Sequence, residues 1–270
     1  MRFDILTLFP EIFSGFLSES LLKQALDNKL VEIHLHDFRQ WTHDRHNTVD
    51  DRPFGGGPGM VIMPGPLIDC VEEVQQQASK AHVLLTSPQG RPLKQIDMER
   101  FAQLPRIMII CGRYEGFDDR ISQILQPEEV SLGDFVLNGG EVAAMAIIEA
   151  VSRLIPGVLG DSMSSVTDSF SFGDRLLEGP QYTRPRVYRG LEVPEILLNG
   201  NHQAIDKWRW EEGIKRTRER RPELITDEIQ RKIDETNKPK RKRRPRPKTD
   251  PDEGNQLPQS SLDVHRNSNQ

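Results

Sequence analysis

An α/β fold, with a parallel sheet flanked by helices, is predicted by three features of this 270-residue chain. Short apolar runs alternate with helical patterns through the first 160 residues, as strand–helix repeats do. One run, Ile107-Met108-Ile109-Ile110, is apolar at every position, which marks a buried strand. Two of the runs lead into glycine-bearing loops that are followed by helices, the strand–turn–helix grammar of such folds.

Taken in order, strands are expected over residues 3–8, 31–36, 82–86, 107–111 and 129–132. Helices are expected over 11–27, 66–79, 94–104, 118–125 and 141–154. In the last of these, Val142, Met145, Ala146, Ile148 and Leu154 form a broad apolar face, and Pro156-Gly157 stops it. From Gly160 to Asp174 the chain turns to small polar residues that cannot bury themselves and reads as a linker. Beyond it, 201–221 and 226–236 read as helices of a small all-α domain. After Asn237 the composition of Pro, Ser, Asn and charge predicts disorder. The expected organisation is a sheet domain over 1–160, a linker over 161–175, a helical domain over 176–236 and a tail over 237–270.

Charged residues make up 29% of the chain and the formal net charge is −5. The stretch from Asn237 to Thr249 holds eight Lys or Arg and no acid, so the remainder carries −13: an acidic body with a basic tail. Two cysteines, Cys70 and Cys111, give neither a disulfide framework nor a CxxC pair, which points to a reducing compartment. The first ten residues lack a signal-peptide core, being interrupted by Asp4 and Pro10, and no apolar run approaches the ~20 residues of a membrane helix. A soluble, cytoplasmic chain with no membrane partner is the expectation.

The two glycine loops are Cys111-Gly112-Arg113-Tyr114-Glu115-Gly116 and Leu132-Gly133-Asp134-Phe135-Val136-Leu137-Asn138-Gly139-Gly140. Either they are ordinary turns, or they form opposite walls of one pocket whose backbone approaches a ligand closely. The run Asp50-Asp51-Arg52-Pro53-Phe54-Gly55-Gly56-Gly57-Pro58-Gly59-Met60 invites a phosphate-loop reading and fails it. No Gly-Lys-Ser/Thr follows, and Met60 and Ile62 occupy the third-glycine positions of a dinucleotide fingerprint. It is a long loop, or a substrate clamp in which Asp50, Arg52, Gly57 and Gly59 are the candidate contacts. His43-Asp44-Arg45-His46 and His34-Leu35-His36 have metal-ligand spacing but no clear third ligand, so no metal site is assigned. The segment 201–221 carries seven Lys or Arg against four acids with Trp208 and Trp210 interleaved. It can bind nucleic acid or pack its tryptophans inward and solvate its charges.

Jointly these segments resemble one family, the bacterial tRNA (guanine-N1)-methyltransferases of the SPOUT class. The matching words are Leu8-Phe9-Pro10, Thr42-His43-Asp44-Arg45-His46, Thr48-Val49-Asp50-Asp51-Arg52-Pro53, Ser87-Pro88-Gln89-Gly90-Arg91 and Cys111-Gly112-Arg113-Tyr114-Glu115-Gly116. They continue with Gly133-Asp134-Phe135-Val136-Leu137, Ser152-Arg153-Leu154-Ile155-Pro156-Gly157-Val158-Leu159-Gly160, Asp168-Ser169-Phe170, Tyr182-Thr183-Arg184-Pro185 and Gly200-Asn201-His202. They fall in the family's order across roughly residues 1–225.

The resemblance implies a sheet tied into a deep trefoil knot, against the rule that chains do not thread, and an obligate homodimer. Its loops would bind S-adenosylmethionine in a bent shape through Ser87, Pro88, Gly112, Tyr114, Leu132, Gly133, Asp134, Phe135, Val136, Leu137, Gly139 and Gly140. The implied substrate is guanosine 37 of tRNA, beside the anticodon. Asp168 matches the general base that removes the guanine N1 proton, in the partner's site. Arg153 matches a group that steadies charge at the guanine carbonyl oxygen, and Glu115 one that orients the base. Lys207, Arg209, Lys215 and Arg216 would contact tRNA phosphates. A sulfonium is its own electrophile, so no metal is required, although Mg2+ is compatible through tRNA folding or the carboxylates. Phe135 and Asn138 depart from the family's more usual tyrosine and small hydroxyl residue. Rival readings are another knotted RNA methyltransferase, a non-catalytic tRNA-binding module, and a nicotinamide dehydrogenase, which lacks a usable glycine fingerprint.

Overall fold

The computed structural model describes residues 1–160, 167–171 and 175–236, in one compact unit up to Thr226 and a second from Asp227. Its strands are β1 (Arg2–Thr7), β2 (Glu32–Asp37), β3 (Asp50–Asp51), β4 (Val61–Ile62), β5 (His82–Pro92), β6 (Arg106–Ile110) and β7 (Glu128–Ser131). Five of them form one sheet in the order β2-β1-β6-β5-β7, parallel at every pairing. The strands β3 and β4 stand apart as a two-stranded antiparallel ladder.

Both faces of the sheet are covered. Helices α1 (Ser14–Leu17), α2 (Ser20–Asp27), α3 (Pro64–Gln76), α4 (Gln95–Ala102), α5 (Asp119–Leu125) and α6 (Glu141–Ser152) follow the strands. Because successive strand residues point to opposite faces, β6 feeds two cores at once. Ile107 and Ile109 join Phe3 and Ile5, packed with Leu22, Phe101, Ile147 and Val151 from α2, α4 and α6. Met108 and Ile110 join Leu6, packed with Leu67, Val71 and Val74 of α3 and Ile121 of α5. All five residues of β6 are buried, and each such Ile or Leu contributes about 1.5–3 kcal/mol. A central strand of a three-layer α/β/α unit is covered on both faces and so is mostly apolar, which is why the run Ile107–Ile110 was the clearest strand in the chain.

Two expectations are corrected. The helix predicted over 11–27 is broken into a 3-10 turn, Pro10–Phe13, then α1 and α2, because Glu19 is extended and Ser20 takes φ +62°. A left-handed residue cannot continue a right-handed helix. The strand expected to stop at residue 86 runs on to Pro92: Thr86 and Arg91 both register on Val130, with residues 87–90 thrown out between them. Pro88 and Gly90 look like a strand end and are instead an excursion inside a strand. At Gly90 a Cβ would lie 2.4 Å from the Val130 nitrogen.

Further along, α7 (His202–Arg220) and α8 (Asp227–Thr236) appear near their expected positions. In the region expected to be all-α there is also a small antiparallel hairpin, β8 (Val187–Tyr188) with β9 (Leu191–Glu192). Parts of the expected linker, residues 161–166 and 172–174, and the tail 237–270 lie outside the described residues. Among the described residues no helix is long and apolar enough to cross a membrane.

One charged knot sits inside the sheet. Asp4 is fully buried and accepts from Arg106 Nε at 2.7 Å, from Arg2 at 2.7 and 3.0 Å, and pairs with His36 Nε2 at 2.8 Å. Arg106, 1% exposed, also donates to the carbonyls of Val74 and Ser79, both at 2.7 Å, and more weakly to that of Gln75 at 3.4 Å, so it caps α3. Burial opposes ionisation of Asp4, but the hydrogen bonds from His36, Arg2 and Arg106 outweigh it and hold the carboxyl well below its usual range. The stability this gives is complete above about pH 4, the unfolded value, and is lost as pH falls toward the folded one. Asp4→Asn should therefore flatten the acid side of a urea-midpoint-against-pH curve, and an unchanged acid limb would refute the assignment. Arg106→Ala should cost about 3–5 kcal/mol at neutral pH, since it strands a buried carboxylate.

Candidate functional site

A cleft of about 340 Å³ opens where β5, β6 and β7 give way to their connections. Three segments line it: the excursion of β5 from Thr86 to Gln89, the loop from Gly112 to Asp119, and the chain leading from β7 into α6. The two glycine loops singled out in the sequence are thus opposite walls of one cleft. Thr86 Oγ1 donates to the Ile110 carbonyl at 2.9 Å and pins β5 to β6 at its floor.

Glycine is obligatory where the walls meet. The Gly140 nitrogen donates to the Gly112 carbonyl at 2.8 Å. A Cβ at Gly140 would lie 2.1 Å from Thr86 Oγ1 and 2.8 Å from Cys111 Cα. Next to it Glu141, 1% exposed at the first turn of α6, accepts from Thr7 Oγ1 at 2.8 Å and from Arg113 Nε at 3.2 Å. Arg113 in turn lies over the Phe9 ring, 4.6 Å from its centroid. Sequence reasoning passed over Thr86, Arg113 and Glu141. An acid opening a helix right after paired glycines was the available signal, since it complements the helix dipole.

Of the residues expected around a donor, Ser87, Pro88, Gly112, Tyr114, Leu132, Phe135, Val136, Leu137, Gly139 and Gly140 line the cleft, whereas Gly133 and Asp134 do not. Gly133 shapes the wall from behind: its nitrogen donates to Ser131 Oγ at 3.1 Å, and that hydroxyl donates to the Gly133 carbonyl at 3.0 Å. Tyr114 takes φ +59° in a tight turn closed by the Gly116 nitrogen on the Arg113 carbonyl, 3.1 Å. Such a φ in a bulky residue marks a backbone held by its surroundings. Glu115 also lines the cleft.

The clamp loop comes to the same place. The Glu115 nitrogen donates to the Met60 carbonyl at 3.0 Å, and the Ile62 nitrogen to the Gly116 carbonyl at 2.9 Å. Gly59 leaves room for the Glu115 carboxylate, which a Cβ would approach to 2.3 Å. Gly55, Gly56, Gly57 and Gly59 all have positive φ, so the run is glycine for conformational reasons. Asp50 sits opposite Ile62 in the ladder, Arg52 is exposed, and Phe54 at the tip is 100% exposed.

Arg153 and Asp168 meet each other and not this cleft: Arg153 Nη2 donates to Asp168 Oδ2 at 2.6 Å, each side chain about a third exposed. The turn that carries Asp168 is anchored on α4, because Arg175 Nη2 donates to Glu99 Oε2 at 2.7 Å and its Nη1 to the Phe170 carbonyl at 3.2 Å. On α7, Lys207, Arg209 and Lys215 are exposed and Arg216 is partly covered. Lys207 pairs with Glu211 at 3.5 Å and Arg209 with Asp206 at 3.8 Å. Such surface pairs are worth only a few tenths of a kcal/mol and yield readily. Trp208 and Trp210 are half-buried, so neither ring is wholly packed inward nor wholly presented to solvent. The histidines have carboxylate neighbours: His36 meets Asp4, and His43 lies 3.3 Å from Asp69. No group of three or more His, Cys, Asp or Glu among the described residues is placed to hold a metal ion.

The family model described as tRNA (Guanine-1)-methyltransferase TrmD matches residues 1–227. The chain is 55% identical over 240 residues to a tRNA (guanine-N(1)-)-methyltransferase of Rhodopirellula baltica, spanning 88% of this chain and 99% of the relative. It is 52% identical over 227 residues to the protein so named in Geobacillus kaustophilus, spanning 84% and 92%, and 52% identical over 226 residues to one in Dehalococcoides mccartyi, spanning 83% and 90%.

The glycine geometry is testable without any ligand. Gly140→Ala should lower stability by about 1–3 kcal/mol through overpacking, read as a fall in the thermal midpoint. Gly15→Ala, with nothing within 4 Å, should be neutral or slightly stabilising. Equal midpoints for the two variants would overturn the close-approach argument.

Proposed function

The chain belongs to the tRNA (guanine-1)-methyltransferase family, and from that premise we infer that it transfers a methyl group from S-adenosylmethionine to N1 of guanosine 37 in tRNA. The observation that carries the reading is the convergence of the 86–89, 112–119 and 132–140 segments on one cleft. Its volume suits a small cofactor, and its glycine-lined walls suit a ligand that must be approached by backbone. When bound, S-adenosylmethionine supplies an electrophilic methyl group, so the transfer itself requires no metal as a Lewis acid, and Mg2+ stays compatible through tRNA folding or the carboxylates.

The chain's own residues have the rest to do. N1 of neutral guanine carries a proton and offers no free lone pair, so a base must take that proton as the ring is presented in line with the methyl group. Asp168 is the base in this reading. Its carboxylate must exchange Arg153 for the N1–H, which frees the guanidinium to face the carbonyl oxygen where negative charge gathers. Glu115, pinned between the cleft and the clamp loop, orients the base. Asp50, Arg52, Gly57 and Gly59 lie on that clamp, and Lys207, Arg209, Lys215 and Arg216 of α7 hold phosphates.

Because Asp168 does not line the cleft of its own chain, its role requires the cleft of a second copy. A homodimer supplies it, and the exposed Phe9, Val136, Leu137 and Val142 beside the Arg113–Glu141 pair are an apolar surface for such contact. In the same reading the chain is tied in a trefoil knot, which fits the close approach of Gly140 to Thr86, Cys111 and Gly112. The domain division at residues 161–175, a helical RNA-binding region after it and a cytoplasmic location belong to the same proposal.

Purified protein with a labelled methyl donor should modify a tRNA transcript bearing guanosine at position 37 and leave its adenosine counterpart unlabelled. Asp168→Ala should lower kcat about 10²- to 10⁴-fold with tRNA affinity kept within a few-fold. Undiminished turnover in that variant would remove Asp168 as the base.

A further inference from the structure

Residues 181–192 are exposed without a break, and they carry an unusual combination of groups for a surface with nothing to bind. Tyr182 is 48% exposed, Tyr188 60% and Leu191 77%. Arg184, Arg186 and Arg189 stand among them, with Glu192 the only acid. None of the three guanidinium groups has a carboxylate within ion-pair distance among the described residues. Arg189 lies over the Tyr188 ring, 5.4 Å from its centroid.

The segment is nonetheless ordered by its own backbone. The strands β8 and β9 pair through Val187 with Glu192 and Tyr188 with Leu191, and the Val193 nitrogen adds a bond to the Arg186 carbonyl at 2.9 Å. Its two-residue turn has φ +50° at Arg189 and φ +80° at Gly190, the primed geometry that suits the twist of a hairpin. An arginine at the first of those positions is a costly choice where asparagine would serve, and it places a cation at the very tip. At the root, the Tyr182 ring lies 6.4 Å from that of Trp208, and the Gly179 backbone packs on that of Arg209 so closely that a Cβ would come within 2.9 Å of its carbonyl oxygen. The hairpin is thus continuous with the part of α7 that carries Lys207 and Arg209.

We propose that the β8–β9 hairpin is a second RNA-contacting element, in which Tyr188 stacks on an unpaired nucleotide of the substrate tRNA while Arg184, Arg186 and Arg189 neutralise adjacent phosphates. An exposed ring beside unpaired guanidinium groups is what single-stranded RNA binds, since every base offers a face to stack and every step a negative charge. The inference deepens the function proposed above and rests on tRNA being the substrate.

The test uses the full chain and a tRNA transcript with guanosine at position 37, with affinity measured by filter binding over a series of salt concentrations. Tyr188→Ala should weaken binding about 5- to 150-fold and Tyr188→Phe should restore it. Arg186→Ala with Arg189→Ala should reduce the slope of log affinity against log salt by about one to two. In turnover the effect should fall on KM for tRNA, with affinity for the demethylated donor product, thermal midpoint and oligomeric state unchanged. Wild-type affinity in these variants, or a loss that follows a change in oligomeric state, would overturn the inference and leave the function standing. Hairpin-dependent binding by a protein that cannot methylate the transcript would overturn the function and leave the inference. If the wild-type chain binds no tRNA, both fall.

Discussion

The carboxylate of Glu141 is the constraint on which the cleft depends. It is buried, and a buried charge is tolerable only with partners. Those partners come from different parts of the chain: Thr7 at the end of β1 and Arg113 in the loop after β6. Because Glu141 opens α6, the same contacts fix where that helix begins, with the carboxylate complementing its dipole. Arg113 extends the hold to Phe9. The two glycine loops are therefore not free walls that happen to face one another; a single side chain locks one to the other and both to the first strand.

How much of this was legible follows from what sets each element. Strands buried on both faces have no polar alternation to hide them, and the central β1 and β6 fell within a residue of expectation; the edge strand β7, half-buried at Glu128 and Glu129, did so as well. The broken helix near Ser20 was not legible, since Phe13, Leu17, Leu22 and Ala25 keep an apolar rhythm across a break that a single φ creates. Nor was the length of β5. A proline and a glycine inside a strand normally end it, and only the return of Arg91 to the partner already used by Thr86 makes one strand of two pieces. Strand order is decided by crossovers and leaves no local trace.

The site divides in the same way. Backbone requirements write themselves into sequence as glycine, so the cleft's walls were visible as motifs, as was the clamp loop with four positive-φ glycines. Side-chain encounters across long separations are invisible to spacing. Nothing near Asp168 announces Arg153, and nothing in β1 announces that Thr7 will meet Glu141. The resemblance placed the whole Leu132–Leu137 segment at the donor; in the fold Gly133 folds back on Ser131, and the cleft lining passes from Leu132 to Phe135.

Both cysteines are buried, and burial first of all pushes each thiol above its ordinary range. Cys111 lies just past β6, where Gly140 presses on its backbone and that of Gly112. Buried and with its thiol pushed up, the sulfur is shielded from electrophiles and oxidants. Cys111 packs in the core with Ile107, Ile109 and Ala144, so attack on it requires that packing to open, and its alkylation rate measures how often the folded chain exposes this layer.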